Sequence, residues 1–385
     1  MDPHQPATAA EMAEVLAACH AGHKTVELGG RFSKRSMGGP VSPADAVVST
    51  AGLSRVAEYE PKDLTISVEA GLSFQTLTDL LAENRQMLPL DPPLAAEATV
   101  GGVVATNCSG PRRRLYGSAR DMVIGMTFVT VEGQEVRSGG MVVKNVAGLD
   151  MAKLLIGSFG TLAAIARVNF KVIPRPPQER TYLLAFDALD AALKARDQIL
   201  RSVLQPAAID LANPAAAASL GPLPSGHVLL FEAGGIEAVM ARYDRDVKAV
   251  AHQAGARECL ALDEDQAALL WRRVRDFPAP GDAAVVRLSA TLARLGECFQ
   301  ISGDAPALAR AGNGILYART PDPAALALRA RSAGLYAVIE SWTAPEKSQA
   351  ELWADPGPEL QVMSQIKEAL DPQHLLNHGR LYNRI

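Results

Sequence analysis

The chain has 385 residues, of which 48% are hydrophobic and 21% charged, and its formal net charge at pH 7 is -4. This length allows two or three domains, and the composition is that of an ordinary globular protein. The slightly acidic balance lacks the basic excess of a nucleic-acid-binding protein, so we expect no nucleic-acid partner.

The sequence shows neither an export signal nor the cysteine spacing of a disulfide or metal site. The first ten residues lack a basic region followed by an apolar one, and no apolar run reaches the roughly 20 residues of a membrane span. The four cysteines show no CxxC spacing, which argues against a disulfide framework, a zinc site or an iron–sulfur site. We therefore expect a cytoplasmic protein.

The first half of the chain alternates between helix and strand patterns. Apolar residues at helical spacing predict a helix over Ala9–His20. Short β-branched runs predict strands at Thr25–Leu28, Ala46–Ser49 and Leu64–Glu69, and Ser73 suits the N-cap of a helix that ends at Glu83. This alternation favours an α/β or α+β layer structure.

A proline-rich segment at Pro174–Pro177 predicts a domain boundary. Beyond it, the patterns fit the order β-α-β-β-α-β of a ferredoxin-like sandwich, followed by a second set whose missing strand we place at Ala307–Arg310. We therefore expect one α+β domain over residues 178–345, with two linked half-sheets as an alternative. A last helix is predicted over Ser348–Leu370, followed by an extended tail from Leu375 to Ile385.

Two glycine-rich regions set the first half apart. One is the loop Gly29–Ser36 after a predicted strand, and the other runs from Ala98 to Ile165. Glycine lets main-chain N–H groups approach a ligand closely, and Ser33 and Lys34 add polar and charged groups suited to a diphosphate. Neither region has the P-loop or Rossmann glycine spacing. A tight surface turn explains the first loop equally well, but the several glycine elements together favour a flat, phosphate-bearing ligand.

These segments resemble the FAD-binding domain of the vanillyl-alcohol-oxidase family, also called the PCMH type. The resemblance is carried by Gly29-Gly30, by Thr99–Gly102, and by a long run that begins at Tyr116 and passes Lys144-Asn145 to reach Gly157–Leu162. It covers residues 1–177 most specifically.

The rest of the chain resembles the glycolate oxidase and D-lactate dehydrogenase branch of that family. The ending Asp371-Pro372 to Arg380 is similar to the tail of that branch, with His378 at a position where proline is common. Leu270–Phe277 and Val286–Ser289 are similar to segments of its FAD-binding subunits.

The resemblance implies an α+β protein with a two-subdomain PCMH-type FAD-binding fold over residues 1–177. A ferredoxin-like α+β cap would follow at 178–345, and a C-terminal helix and tail at 346–385 would return to the FAD domain. Non-covalent FAD is expected, because the first loop has no histidine and Cys108 lacks the spacing of flavin-attached cysteines. Cys108 is then a small core residue.

The cofactor contacts that the resemblance implies belong to the glycine-rich segments. They are Gly29, Gly30, Arg31, Phe32, Ser33, Thr99, Val100, Gly101, Gly102, Ser109, Gly110, Tyr116, Gly117, Ser118, Lys144, Gly157, Gly160, Thr161 and Ile165. Asn145 accompanies Lys144, and a solvated strand end is the alternative for both residues.

Oxidising a 2-hydroxy acid requires a cation for the carboxylate and a base for the hydroxyl. Arg287, with Thr291 four residues later, resembles the carboxylate-binding pair of the D-2-hydroxy-acid dehydrogenases, and His378 is the candidate base. A strand-face arginine paired with a carboxylate and a surface histidine are the alternatives. The catalytic relatives carry a histidine-rich metal motif in the cap that this sequence lacks, so we predict no metal site.

The resemblance therefore implies an FAD-dependent oxidoreductase acting on CH–OH groups, as the FAD-binding subunit of a glycolate oxidase or dehydrogenase complex. Glycolate would become glyoxylate, with a larger FAD subunit and an iron–sulfur subunit as partners. Peripheral membrane association through those partners is left open. The alternatives are a stand-alone oxidase or dehydrogenase for another 2-hydroxy acid or alcohol, and a flavin-binding subunit with a structural role alone.

Overall fold

The computed structural model describes residues 2–41, 43–142, 149–344, 347 and 351–385. The chain forms two compact units. Unit 1 contains Met1–Ser109, Gly117–Arg175 and Asp355–Ile385, and unit 2 contains Gly110–Tyr116 and Pro176–Ala354. The predicted contacts Lys144 and Asn145 lie outside the described residues.

Helices and strands alternate along most of the described chain. The helices are α1 (Ala9–Ala21), α2 (Phe74–Glu83), α3 (Val100–Ala105), α4 (Arg113–Tyr116), α5 (Ala119–Met122), α6 (Met151–Leu155), α7 (Leu189–Arg201), α8 (Pro214–Leu220), α9 (Glu237–Ala254), α10 (Glu264–Asp276), α11 (Leu295–Ser302), α12 (Pro323–Ser332) and α13 (Glu359–Leu370). The strands are β1 (Val26–Gly29), β2 (Ala46–Ser49), β3 (Val56–Glu60), β4 (Thr65–Glu69), β5 (Gln86–Met87), β6 (Val123–Val129), β7 (Glu135–Gly139), β8 (Ala164–Lys171), β9 (Ile173–Pro174), β10 (Gln178–Phe186), β11 (Ala208–Ala212), β12 (His227–Gly235), β13 (Glu258–Leu262), β14 (Ala284–Ser289), β15 (Ala307–Arg310), β16 (Ile315–Thr320) and β17 (Tyr336–Ser341).

Unit 1 contains a five-stranded antiparallel sheet and a separate parallel pair. The sheet has the strand order β3-β4-β8-β6-β7, and β1 pairs with β2 in parallel. Helix α1 is capped by Thr8, whose hydroxyl accepts a hydrogen bond from the Glu11 N–H. Its Met12 and Leu16 belong to the same buried cluster as Val26 of β1 and Val48 of β2.

The C-terminal tail runs beside β1. The Val26 N–H donates to the Leu375 carbonyl at 2.8 Å, and the Asn377 N–H donates to the Val26 carbonyl at 3.0 Å. A buried ion pair also holds the start of the tail: Lys367 Nζ lies 2.6 Å from Asp371 Oδ2, and the Asp371 carboxylate accepts from the N–H groups of Leu375 and Leu376. The same Nζ donates to the Thr161 carbonyl at 2.7 Å, so α13 is joined to the turn that precedes β8.

Unit 2 is built on one eight-stranded antiparallel sheet in the order β13-β10-β12-β11-β15-β16-β14-β17. Each half has the strand order of a ferredoxin-like sandwich, and the halves join where β11 pairs with β15, with Leu211 opposite Ala309. The α+β prediction is confirmed, and the alternative of two linked half-sheets describes this unit. The strand placed at Ala307–Arg310 is present as β15.

The prediction of a single helix over Ser348–Leu370 is wrong. Helix α13 begins at Glu359, and the described residues from 351 to 358 are not helical. Pro356 and Pro358 flank Gly357, and a proline removes a helical N–H donor and disfavours helix in the residue before it.

A short segment from the first half of the sequence belongs to unit 2. Arg112 Nε and Nη2 each lie 2.7 Å from a carboxylate oxygen of Glu232, and Nη2 also reaches Glu179 at 3.3 Å. This two-pronged pairing fixes residues 110–116 on unit 2. The predicted cofactor contacts Gly110 and Tyr116 therefore lie in a different unit from the other predicted contacts.

Candidate functional site

A cleft of about 750 Å³, partly open to solvent, lies in unit 1 at the end of β1. Its lining comes from three segments of the chain: the loop after β1, helix α3 with its N-cap, and the turn before β8. The tail contributes Asn377 and Arg380. The predicted contacts that line it are Gly29, Gly30, Arg31, Phe32, Ser33, Thr99, Gly101, Gly102, Gly160 and Ile165.

We call these three segments the first, second and third walls of the cleft. The first wall (the loop after β1) and the second (α3 with its N-cap) touch at Gly30 and Thr99. A Cβ at Gly30 would overlap the Thr99 hydroxyl and lie 2.9 Å from the Thr99 Cβ, so the loop has no room for a side chain there. Thr99 is held in turn because its Oγ1 caps α3 by accepting from the Gly102 N–H at 3.3 Å. The Gly30 carbonyl accepts from the Ser49 hydroxyl at 2.8 Å.

Asn377 joins the first wall to the third. Its Oδ1 accepts from the Leu28 N–H at 2.7 Å, and its Nδ2 donates to the carbonyls of Leu28 and Phe159 at 2.9 and 2.8 Å. A Cβ at Gly160, whose φ is +72°, would lie 2.8 Å from that Nδ2. One buried amide therefore sets the spacing between the end of β1 and the turn before β8.

The cleft carries an excess of positive charge. Its described lining includes four cations, Arg31, Lys34, Arg35 and Arg380, and one carboxylate, Glu27. Glu27 is already paired with Arg35, whose Nε lies 2.6 Å from Oε1. The remaining positive charge favours an anionic ligand.

Several buried polar atoms in and beside the cleft have no hydrogen-bond partner among the described residues. They include Lys34 Nζ and Arg380 Nε in the lining, and Asn107 Oδ1 and Ser109 Oγ just after α3. Buried polar groups in folded proteins are almost always hydrogen-bonded. In the lining, Lys34 Nζ and Arg380 Nε are therefore donors that a polar ligand or an ordered water could satisfy.

The sequence matches two related family profiles. Residues 4–139 match the FAD binding domain, and residues 175–293 and 347–381 match the C-terminal domain of FAD linked oxidases. The chain is 31% identical over 336 residues to the glycolate oxidase subunit GlcE of Escherichia coli (strain K12), which covers 85% of this chain and 84% of that protein. The chain belongs to the FAD-linked oxidase family.

Two further comparisons extend this result. The glycolate oxidase subunit GlcD of Bacillus subtilis (strain 168) is 28% identical over 207 residues, or 53% of this chain and 44% of that protein. The structure of 4-ethylphenol oxidase from Gulosibacter chungangensis superposes with a TM-score of 0.74 at 17% identity, covering 99% of this chain and 89% of that one. The expected PCMH-type FAD-binding fold is confirmed.

The chain is therefore an FAD-dependent oxidoreductase, and its cleft fits this cofactor. Glycine walls allow the backbone to approach a flat ring and a diphosphate, and the cationic lining suits the two negative charges of the diphosphate.

Other predicted contacts do not line the cleft. They are Val100, Ser109, Gly110, Tyr116, Gly117, Ser118, Gly157 and Thr161. Some of them have structural roles of their own: the Ser118 N–H donates to Asp121 Oδ2 at 2.8 Å, and the Thr161 carbonyl accepts from Lys367. As cofactor contacts, these residues stay predictions.

Gly101 lines the cleft, but the structure gives it a packing role as well. A Cβ at this position would lie 2.7 Å from the Ala70 Cβ, at the contact between α3 and the end of β4. A larger residue there would first displace the helix, and it would affect the cofactor through that displacement.

The site also contains residues that sequence reasoning did not assign. Arg35 lies inside the predicted loop Gly29–Ser36 and Phe159 inside the glycine-rich run, but neither was named as a contact, whereas Lys34 had been named for its charge and does line the cleft. Asn377 and Arg380 were singled out only as part of the tail pattern, because nothing local in the sequence shows that they return to β1.

Arg287 is paired in this structure. Its Nε lies 2.6 Å from Oε2 of Glu340 on the neighbouring strand β17, and its pKa is raised although burial opposes this. Thr291 is exposed at the start of a short 3-10 helix. The assignment of these two residues to the substrate carboxylate stays a prediction.

His378 lies half-buried in the tail of unit 1, outside the cleft lining, with its ring 5.5 Å from that of His374. Burial lowers its pKa from the usual 6.5, and the charge of His374 lowers it further. The imidazole is therefore neutral near pH 7 and able to accept a proton. Its role as a base stays a prediction, since Arg287 belongs to unit 2 and His378 to unit 1.

The described residues contain no group of three or more histidine, cysteine, aspartate or glutamate side chains arranged to hold a metal ion. No helix among them combines the length and apolar character needed to cross a bilayer.

Asn377 gives a direct test of the cleft geometry. Replacement by alanine removes all three side-chain hydrogen bonds, so the half-buried N–H and carbonyl of Leu28 and the carbonyl of Phe159 lose this partner. We expect a loss of about 1–3 kcal/mol of folding free energy. FAD binding should weaken at least tenfold, because the loop after β1 and the turn before β8 would separate. Denaturant unfolding and a fluorescence titration with FAD measure the two effects, and an unchanged FAD dissociation constant would show that Asn377 does not set the spacing.

Proposed function

We propose that this chain is the FAD-binding subunit of a glycolate oxidase or dehydrogenase complex that oxidises glycolate to glyoxylate. The 31% identity with GlcE over 336 residues supports this most directly, because it covers both units and not the cofactor domain alone. The cationic, glycine-walled cleft supports it independently, through the cofactor that such a subunit needs.

The bound FAD would supply the two-electron acceptor for alcohol oxidation, while the protein binds and orients the reactants. We assign the predicted contacts that line the cleft to non-covalent FAD binding. Arg287 and Thr291 are assigned to the carboxylate of the hydroxy acid, with Glu340 as the resting partner of Arg287. His378, held neutral by burial, is assigned the hydroxyl proton.

We further propose that the chain acts in the cytoplasm beside a larger FAD subunit and an iron–sulfur subunit, which would receive the electrons. The word subunit in the names of both glycolate oxidase relatives supports a heteromeric complex. The larger subunit would carry the histidine-rich metal motif that is missing from this sequence.

Reconstitution tests the proposal. The chain is expressed alone and together with the two partner subunits encoded by the same organism, and glycolate-dependent dye reduction is measured under anaerobic conditions. We expect the complex to reduce the dye and to lose this activity when the chain is omitted. A chain that oxidises 2-hydroxy acids alone as fast as the complex does would favour the stand-alone enzyme instead.

A matched pair of variants tests the substrate assignment in the same assay. Arg287→Met should raise the Michaelis constant for glycolate at least tenfold, because the carboxylate loses a charged hydrogen-bond donor. Arg257→Met, which removes a half-exposed arginine that pairs with Asp187, should leave it unchanged. Equal Michaelis constants for both variants would remove Arg287 from the site.

A further inference from the structure

The large sheet of unit 2 ends at strand β13, whose outer edge is unprotected. β13 pairs with β10 over five residues without a bulge, and no other described strand pairs with it. Residues 258–261 are exposed and Leu262 is partly exposed. Alternate N–H and carbonyl groups of an edge strand point outward, where a strand of another chain can bond to them.

The edge strands at the other described sheet ends are protected. At the opposite end of the same sheet, β17 is covered by a neighbouring segment, because the Ile339 N–H donates to the Leu352 carbonyl at 2.8 Å. β3 contains a bulge. Exposed charges also mark both edge strands of the unit 1 sheet: Glu58 and Glu60 on β3, and Glu135 and Arg137 on β7. Bulges, charges and covering segments are the usual means of preventing edge-to-edge pairing, and residues 259–262 of β13 have none of them.

The sequence of β13 is complementary to itself in one antiparallel register. That register places Leu260 opposite its own copy on a two-fold axis. The facing pairs are then Leu260 with Leu260, Cys259 with Ala261, Glu258 with Leu262, and Arg257 with Asp263.

Charge favours this register over its neighbours. Arg257 and Asp263 face each other twice, once on each side of the axis, and opposite charges across a strand pair are stabilising. Both residues continue the extended strand: the Arg257 N–H donates to the Ala185 carbonyl at 2.8 Å, and Asp263 has φ -69° and ψ 169°. A shift by one residue in one direction would place Glu258 opposite Asp263, which is repulsive. A shift in the other direction would remove the ion pair.

The centre of the pairing is apolar. Leu260 lies opposite Leu183 of β10, and Leu183 shares a buried cluster with Leu270 of α10. Because residues directly opposite each other point to the same face, Leu260 lies on the α10 side of the sheet, where it is 42% exposed. Pairing with a second copy would bring the two Leu260 side chains together and remove their apolar surface from water.

We propose that the outer edge of β13 is a self-association surface. Two copies of the chain pair their β13 strands in antiparallel about a two-fold axis at Leu260, which joins their eight-stranded sheets into one. Two-fold symmetry is the commonest arrangement of identical chains. The pairing involves unit 2 alone and holds whichever substrate the chain oxidises. Because the contact is short for a protein interface, we expect a dissociation constant on the order of micromolar.

Sedimentation of the full, FAD-loaded chain measures this constant at concentrations that bracket it. Leu260→Lys places two ammonium groups together at the axis and should raise the dissociation constant at least tenfold. Leu328→Lys is the matched control, because it makes the same change at a 66% exposed leucine of α12 and should leave the constant unchanged. Equal flavin content and melting temperature in the two variants show that both are folded.

Disulfide cross-linking tests the register. Cys259 is exposed, whereas the other three cysteines are buried. Ala261→Cys would set two thiols opposite each other with Cα atoms about 4.5–5.5 Å apart, within the range of a disulfide. Oxidation by diamide, which takes up the two thiol hydrogens, should then link most chains into covalent dimers. In the wild type, the two Cys259 residues would lie diagonally, about 7–8 Å apart, and should link poorly.

Ala57→Cys on the protected edge strand β3 is the control for chance cross-linking, since Ala57 is also exposed. A chain that stays monomeric, with no more cross-linking for Ala261→Cys than for Ala57→Cys, would overturn the proposal. So would a dimer that Leu260→Lys leaves intact, because a different surface would then hold it. If the isolated chain is monomeric and Leu260→Lys instead prevents assembly with a different subunit, the edge belongs to that subunit and self-association is refuted.

Discussion

Replacing Gly30 by alanine is expected to leave the purified protein almost without FAD. The added Cβ would overlap the Thr99 hydroxyl and approach its Cγ2 to 2.8 Å, and Thr99 cannot retreat without releasing the cap of α3. Forcing an extra methyl group into a packed contact costs about 1–3 kcal/mol, which corresponds to roughly a 5- to 150-fold weaker cofactor affinity if it falls on the bound state.

Flavin content after purification and a fluorescence titration of the apo protein measure this effect. Gly281→Ala makes the same chemical change at a position in unit 2 where no described atom lies within 4 Å of the new Cβ, so its FAD content should equal that of the wild type. A Gly30→Ala protein with full flavin content and an unchanged dissociation constant would show that the first two walls do not contact each other as described.

Replacing Lys367 by methionine is expected to produce the largest loss of stability, about 3–5 kcal/mol. The pair Lys367–Asp371 is completely buried, and removal of the ammonium leaves the Asp371 carboxylate without its counter-charge. The carbonyls of Thr161 and Leu376 lose a charged donor at the same time. Helix α13 would then lose its bond to the turn before β8, which only the Asn377 bond to Phe159 would still hold to the tail among the contacts described above.

Urea unfolding of the FAD-free protein measures that loss. Lys153→Met serves as the control. The ion pair of Lys153 with Asp150 is exposed, and exposed ion pairs contribute about 0–1 kcal/mol. A cost for Lys367→Met no larger than that of the control would mean that the buried pair does not anchor the tail.

The cofactor walls were predictable because their signals are local. Gly29 ends β1 and Gly30 follows it, while Thr99 directly precedes α3 and its two glycines, so each wall is encoded in a short window of sequence. The resemblance to a flavin-binding family rests on the same windows. Neither signal depends on how distant segments come together.

The contributions of the tail could not be derived in this way. Asn377 bonds to Leu28 across 349 positions of sequence, and Lys367 bonds to Thr161 across 206. No periodicity or local motif encodes such a contact, and only the similarity of the ending to a family tail suggested that it returns to the first domain. The contacts of Asn377 and of the buried Lys367–Asp371 pair are therefore known only from the structure.

In the second half of the chain, regular strands were easier to predict than irregular segments. β15 was placed correctly although all four of its residues are buried and it shows no alternation. Helix α13 was predicted too long at its N-terminal end, where Pro356 and Pro358 disfavour helix before Glu359. The sequence suggested a carboxylate partner for Arg287 but not which one. The pairing of β14 with β17 is what brings Glu340 to it.

The absorption spectrum of the isolated chain, recorded before and after incubation with FAD and removal of unbound cofactor, tests the central claim most directly. The structure predicts a yellow protein with stoichiometric FAD held in the cleft at the end of β1, and denaturation should release that FAD into solution. A colourless protein that cannot be reconstituted with FAD would contradict the account.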